Sequence, residues 1–245
     1  MLWSNDGVRV VQGTRPLVIF DCDGVLVDSE PLSVQVLVDA LNRRGVEIDE
    51  DEAYARFLGR SLSTLAQILH DDFDHSIDAA FLEDLRHELY DRFRLSLKPM
   101  PGIAEVLDAL DCTRCVASSS QLERIRLSLS LTGLLERFEP GIFSASMVEN
   151  GKPAPDLFLH AARAMKTDPA DCIVIEDSPA GIEAAQRAGM AVFVFTGGSH
   201  AGAPGYRERI AALAPDVVFD AMPDLIHLVR QHMEGPDRHR SPRAG

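Results

Sequence analysis

Leu17-Val-Ile-Phe-Asp-Cys-Asp-Gly-Val-Leu-Val-Asp-Ser29 is an apolar run that ends in two aspartates one residue apart, followed by a glycine. Four apolar residues after the Arg15-Pro16 breaker predict a short buried strand over Leu17 to Phe20. Asp21 and Asp23 then fall at its C-terminal end, where open parallel sheets present their ligand-binding residues. Two carboxylates crowded there repel each other and call for a cation; oxygen ligands of this kind suit Mg²⁺. A strand ending in a solvated acidic turn accounts for the same residues equally well, since Asp and Gly are common in turns. The rest of the chain has to decide.

A chain of 245 residues implies one large domain or a core domain with an insertion. Its 46% hydrophobic and 25% charged residues are those of a globular protein. A net charge of −14 argues against nucleic acid or an anionic membrane as partner. Any anionic substrate therefore needs local positive charge, yet the only lysines are Lys98, Lys152 and Lys166. Cys22, Cys112, Cys115 and Cys172 lie in or beside strand-like runs and suggest no disulfide framework. Cys112-x-x-Cys115 has a metal-like or redox-like spacing but lacks a second Cys/His pair at zinc-site distance, and reduced, buried thiols in a cytoplasmic protein are expected. No apolar run reaches bilayer-spanning length, and no secretory signal is apparent.

Ser29-Glu-Pro-Leu opens a helix with Ser29 as its expected N-cap and Gly45 as its stop. From Asp49 to about Leu97 the pattern stays helical, with apolar faces supplied by residues such as Phe57, Leu69, Phe81, Leu89 and Phe93. Lys98-Pro-Met-Pro-Gly102 is a breaker and marks a return linker. Strands and helices then alternate: strands at Arg114–Ala117, Ile142–Ala145, Cys172–Ile175, Ala191–Phe195 and Val217–Phe219, with helices at Ile103–Leu110, Leu122–Leu131, Asp156–Met165 and Ala180–Ala188 and a last one from Leu225. The fold class predicted is α/β, a Rossmann-like parallel sheet covered by helices, with an α-helical cap inserted after the first strand. Residues 1–29 and 98–234 form the core in this reading, 30–97 the cap and 235–245 a disordered tail.

Three further clusters sit at predicted strand ends. Ser118-Ser-Ser120 precedes a helix, a natural phosphate cradle or a set of ordinary caps. Asn150-Gly-Lys-Pro-Ala-Pro-Asp156 fixes Lys152 in a loop, where it meets an anion or is simply solvated. Glu176-Asp-Ser-Pro-Ala-Gly181 repeats the acidic strand end, and also reads as a helix start.

Asp21-x-Asp23-Gly, Ser118, Gly-Lys152-Pro and Glu176-Asp177, in this order, resemble the four motifs of the haloacid dehalogenase superfamily. The closer likeness is to its phosphatase and phosphomutase branch with a helical cap, and it covers roughly residues 17 to 230. The resemblance implies that Asp21 attacks phosphorus and forms an aspartyl-phosphate, while Asp23 serves as general acid and base. It implies Mg²⁺ on the carboxylates of Asp21 and Asp177 and the backbone carbonyl of Asp23, with Glu176 beside or behind it. Ser118, the backbone near Ser119, and Lys152 would hold the phosphoryl oxygens.

Dehalogenase relatives lack the second aspartate of the first motif, and phosphonate-cleaving relatives need a cap lysine that residues 29–97 do not contain. The rival is a β-phosphoglucomutase-like sugar phosphomutase. Those relatives carry a histidine where Ser33 stands and a Lys-Gly-x-x-Arg loop where Leu58-Gly59-Arg60-Ser61-Leu62 stands, so hydrolysis is favoured. A non-catalytic phosphometabolite-binding module predicts a broken motif, and none is visible. Glu30, Gly59 and Arg60 are the candidate substrate contacts from the cap. The expected partner is a small phosphorylated metabolite, a sugar or polyol phosphate, handled by a monomer or weak dimer.

Overall fold

The computed structural model describes residues 15–57, 62–73 and 76–234. Six parallel strands form one sheet in the order β3-β2-β1-β4-β5-β6. They are β1 (Leu17–Phe20), β2 (Thr113–Ser118), β3 (Ile142–Ser144), β4 (Cys172–Glu176), β5 (Ala191–Phe195) and β6 (Val217–Phe219). The first strand is central, with Leu17 level with Thr113 on one side and Cys172 on the other. The chain leaves β1 first toward β2 and β3, then returns to β4 on the opposite side. That reversal is the topological switch point at which open α/β sheets bind ligands.

Strands β1, β3 and β4 are buried along their whole length, β2 and β5 over most of it, and residues of the inner strands alternate between two cores, whereas β6 at the sheet edge leaves Val218 exposed. Val18, Phe20, Val116, Ile173, Ile175 and Phe193 point to one side. There they meet α5 (Ile103–Ala109), α6 (Leu122–Leu131) and α10 (Leu225–Glu234). Leu17, Ile19, Cys115, Val174 and Val192 point to the other side. That face is covered by α7 (Asp156–Ala164), α8 (Pro179–Arg187) and α9 (Tyr206–Ala212). Helix α9 has no counterpart in the sequence reading, because only Tyr206 and Ile210 mark its buried face. The four thiols are free, three of them buried, and burial pushes Cys112 up to about 11 and Cys172 up to about 12.

Between β1 and β2 stand α1 (Glu30–Arg43), α2 (Glu50–Phe57), α3 (Leu62–Phe73) and α4 (Ala79–Ser96). Leu37, Leu41, Phe57, Leu69 and Phe81 gather into a cluster of their own. Leu89, Phe93 and Leu97, by contrast, join the main core together with Val36. The helical block therefore grips the sheet domain through the C-terminal half of α4. Its two connections run side by side: Asp28 N donates to Lys98 O at 3.1 Å and Met100 N to Leu26 O at 2.9 Å. Residues 1–14, the loop holding Gly59 and Arg60, and the expected tail at 235–245 lie outside the described residues.

Phe138 sits in the main core at 2% exposure, its ring edge-on to Phe20 at 5.8 Å. Phe138→Ala removes that contact directly beneath the Asp21 strand, and is expected to cost about 3–5 kcal/mol. Urea unfolding of the variant and the parent measures it; a loss below about 1 kcal/mol would show that the core refills there.

Candidate active site

The ends of β1, β2 and β4 converge because their registers are level. Asp21 N donates to Ile175 O at 2.9 Å, so the strand pairing runs up to the first aspartate. Asp21, Ser118, Glu176 and Asp177 are all buried there. Lys152 reaches in from the loop before α7 and is the cation among them. Its Nζ donates to Asp21 Oδ1 at 2.7 Å and to Glu176 Oε1 at 2.6 Å, with the side chain 2% exposed. The solvated-loop reading of Lys152 is thereby excluded. Burial alone would lower its pKa, but Asp21 and Glu176 outweigh that and raise it. Burial dominates at Asp21 and raises its pKa, with Lys152 opposing and Glu176 and Asp177 adding to the rise.

Glu176 is occupied on both oxygens. Oε1 takes Lys152, while Oε2 accepts from the backbone of Asp177 and from the backbone and hydroxyl of Ser178, each at 2.9 Å. It thus stands behind Asp177 as a support for Lys152 and the turn. Ser178 also caps α8, its hydroxyl accepting from Gly181 N at 3.0 Å. The glycine is required, since a Cβ at Gly181 would lie 1.8 Å from Glu176 Oε1.

Asp23 has a different environment. Oδ1 accepts from Ser29 Oγ at 2.7 Å and Arg124 Nη2 at 2.8 Å, and Oδ2 from Ser120 Oγ at 2.6 Å. Burial alone would push Asp23 up, but Arg124 and the two hydroxyls outweigh it and hold the carboxyl below its ordinary range. Ser29 occupies the N-cap position of α1 without making the cap bond: its hydroxyl is spent on Asp23. Arg124 also approaches Ser33 Oγ at 3.4 Å and lies over the Phe93 ring at 5.2 Å, so it touches both α1 and α4. Sequence reading missed Arg124; its only signal was a basic residue one turn into the helix after the serine cluster. Ser118 is buried beside Asp21, whereas the Ser119 side chain is exposed.

Among the described residues, no three His, Cys, Asp or Glu side chains are grouped as a ready metal site. A Mg²⁺ ion would accordingly rest on two carboxylates and main-chain oxygen. The residues fit that donor set. The Gly24 backbone (φ +79°) approaches Asp177 so closely that a Cβ there would lie 1.9 Å from Oδ2. Burial, first of all, raises the Asp177 pKa, as it does at Asp21, which leaves two crowded acids whose ionised forms a divalent cation would favour. The donors are hard oxygens, as Mg²⁺ requires.

A model of the haloacid dehalogenase-like hydrolases matches residues 16–189, and the chain belongs to that family. It is 32% identical over 186 residues to the 6-phosphogluconate phosphatase of Escherichia coli, covering 75% of this chain and 83% of that one. The fructose-1-phosphate phosphatase YqaB of the same organism is 31% identical over 180 residues, 71% of this chain and 92% of the other. Two longer Arabidopsis thaliana proteins match over only 17% and 47% of their own length. Among solved structures, a haloacid dehalogenase-like protein of unknown function from Agrobacterium tumefaciens superimposes with a TM-score of 0.80 at 34% identity, covering 89% of this chain and 99% of that one.

Glu30, in the first turn of α1, has its pKa raised to about 7 by burial first, then by Asp23 and Asp177. Unfolded, it ionises near its ordinary 4.5, so between about 4.5 and 7 the fold holds a proton that the unfolded chain has lost. Its contribution to stability therefore falls as pH rises through that window. Glu30→Gln removes the slope, and the variant is expected to gain on the parent between pH 5 and pH 8. Urea unfolding of metal-free protein at the two pH values tests this, and an identical difference at both would contradict it.

Proposed function

We propose that this phosphatase hydrolyses small phosphorylated sugars, sugar acids or polyols with Asp21 as nucleophile and Mg²⁺ as cofactor. The observation that carries the reading is the buried Lys152 Nζ, 2.7 Å from the Asp21 carboxylate at the switch point of the sheet. It offsets part of the negative charge that a phosphate dianion meets on approaching an aspartate in a chain of net charge −14. The substrate class follows from the names of the relatives: one acts on 6-phosphogluconate and another on fructose-1-phosphate.

Asp21 attacks phosphorus, the bond to the leaving oxygen breaks, and Asp23 delivers the proton that oxygen takes up. Water then attacks phosphorus and gives a proton to Asp23, the P–O bond to Asp21 breaks, and inorganic phosphate departs, leaving the Asp21 carboxylate free again. Ser29, Ser120 and Arg124 favour the ionised Asp23 needed in this second step. In the first step Asp23 must carry a proton and turn toward the leaving oxygen. Ser118, the Ser119 backbone and Lys152 bind phosphoryl oxygens. Mg²⁺, on Asp21, Asp177 and the Asp23 carbonyl, would supply charge neutralisation between the nucleophile and the phosphate.

Residues 30–97 act in this reading as a cap on a core of 1–29 and 98–234, and bring Glu30, Gly59 and Arg60 to the substrate. Hydrolysis rather than phosphomutation is supported at position 33. There a serine hydroxyl donates to Ser29 O at 3.0 Å, where mutase-like relatives carry a histidine.

A panel of sugar, sugar-acid and polyol phosphates assayed for released phosphate, with and without EDTA, tests the proposal. Turnover should require Mg²⁺, and Asp21→Asn should remove it by at least about 10³-fold. Activity untouched by chelation would reject the metal, and substantial activity in Asp21→Asn would reject the nucleophile. Hexose phosphate interconversion without phosphate release would make the protein a mutase.

A further inference from the structure

Thr196-Gly-Gly-Ser-His200 follows β5 at the same sheet edge, and none of the four motifs includes it. A 3-10 turn over Ser199–Gly202 buries the His200 imidazole to 3% exposure. Its Nε2 lies 2.9 Å from Asp177 Oδ2. The distance is that of a hydrogen bond but the alignment is not, and Nδ1 likewise lacks an aligned partner. The ring is confined by glycine backbone: a Cβ at Gly198 would lie 2.7 Å from Cε1, and one at Gly24 3.1 Å from it. Behind it, Tyr206 meets the ring edge-on with centroids 5.2 Å apart. The Tyr206 hydroxyl donates to the Asp177 carbonyl oxygen at 2.6 Å. The turn is itself fastened down, Ser199 Oγ donating to Asp28 Oδ2 at 2.5 Å.

Asp177 thus has a neighbour at each end: His200 Nε2 stands against its carboxylate at 2.9 Å, and the Tyr206 hydroxyl bonds its main chain. A purely space-filling role would be served better by an apolar side chain, because an imidazole buried without aligned partners is costly. Groups that fix the orientation of a metal-binding carboxylate commonly matter 10- to 100-fold in metal affinity. We infer that His200 and Tyr206 are positioning residues that set the Asp177 carboxylate for a divalent cation. The inference rests on the Mg²⁺ reading above and adds to it two residues outside the four motifs.

Calorimetric titration with Mg²⁺, at one pH and without substrate or phosphate, tests it on the whole chain. His200→Leu and Tyr206→Phe are each expected to weaken Mg²⁺ about 10- to 100-fold. In His200→Gln the amide nitrogen can take the place of Nε2, and this variant should recover most of the affinity. Parental affinity in His200→Leu, or His200→Gln as weak as His200→Leu, would overturn the role of His200. Should His200→Leu fail to fold by circular dichroism, Tyr206→Phe decides, and unchanged affinity there overturns the inference. A parent protein that binds no Mg²⁺ would overturn the metal reading itself, and this inference with it, before any variant is compared.

Discussion

The buried ammonium of Lys152 is the interaction on which the rest of the site depends. Three carboxylates, Asp21, Glu176 and Asp177, are buried at neighbouring strand ends. Ionised carboxylates so placed are expensive, and Lys152 bonds two of them directly. Desolvation strengthens these contacts, which is why Lys152 keeps its proton despite full burial. The arrangement is asymmetric by construction. Glu176 is saturated and inert, whereas Asp21 keeps Oδ2 outside the Lys152 contact and Asp177 faces Gly24.

The two acids of the first motif are separated electrostatically although one residue lies between them. Asp21 ends a strand and faces the other carboxylates; Asp23 lies in the turn beyond and faces a guanidinium and two hydroxyls. Burial wins at the first and the donors win at the second, so their pKa values move in opposite directions. Environments that push two acids apart in this way are what assign different chemical tasks to identical side chains. Arg124 carries much of that separation at Asp23, and through Ser33 and Phe93 it also senses α1 and α4.

Features built from neighbours in the chain were legible in the sequence. Five of the six strands are mainly short apolar runs, β2 holds one behind Thr113 and Arg114, and each was readable from the polar or small residues that end it. The four strand-end clusters followed from the strands. Contacts that span the chain were not legible. Arg124 and Asp23 are 101 residues apart, and nothing in the spacing of either announces the pair. Ser29 looked like a helix cap, but its hydroxyl bonds the Asp23 carboxylate six residues earlier instead of the helix N-terminus. His200 was hidden differently: it follows a predicted strand, but a single histidine after two glycines matches no ligand pattern. The division of α4 was also not read from the sequence: Phe81 and Phe93, about 120° apart around the helix, enter separate clusters.

The paired connections of the helical block have a consequence for how such chains are assembled. Val27 and Pro99 bridge as an antiparallel pair, so the chain leaves the sheet domain and re-enters it at the same point. Everything between them hangs from a two-stranded stalk, and the length of the excursion places no demand on the sheet. One helical block could be exchanged for another at this stalk with Asp21 and Asp23 left where β1 puts them. If the helical block acts as the proposed cap, selectivity for the organic part of a substrate and the chemistry at phosphorus can then vary as separate pieces of one polypeptide. The exceptions are the patch where Val36, Leu89, Phe93 and Leu97 enter the main core and the contacts of Arg124 with Ser33 and Phe93, which any replacement would have to supply again.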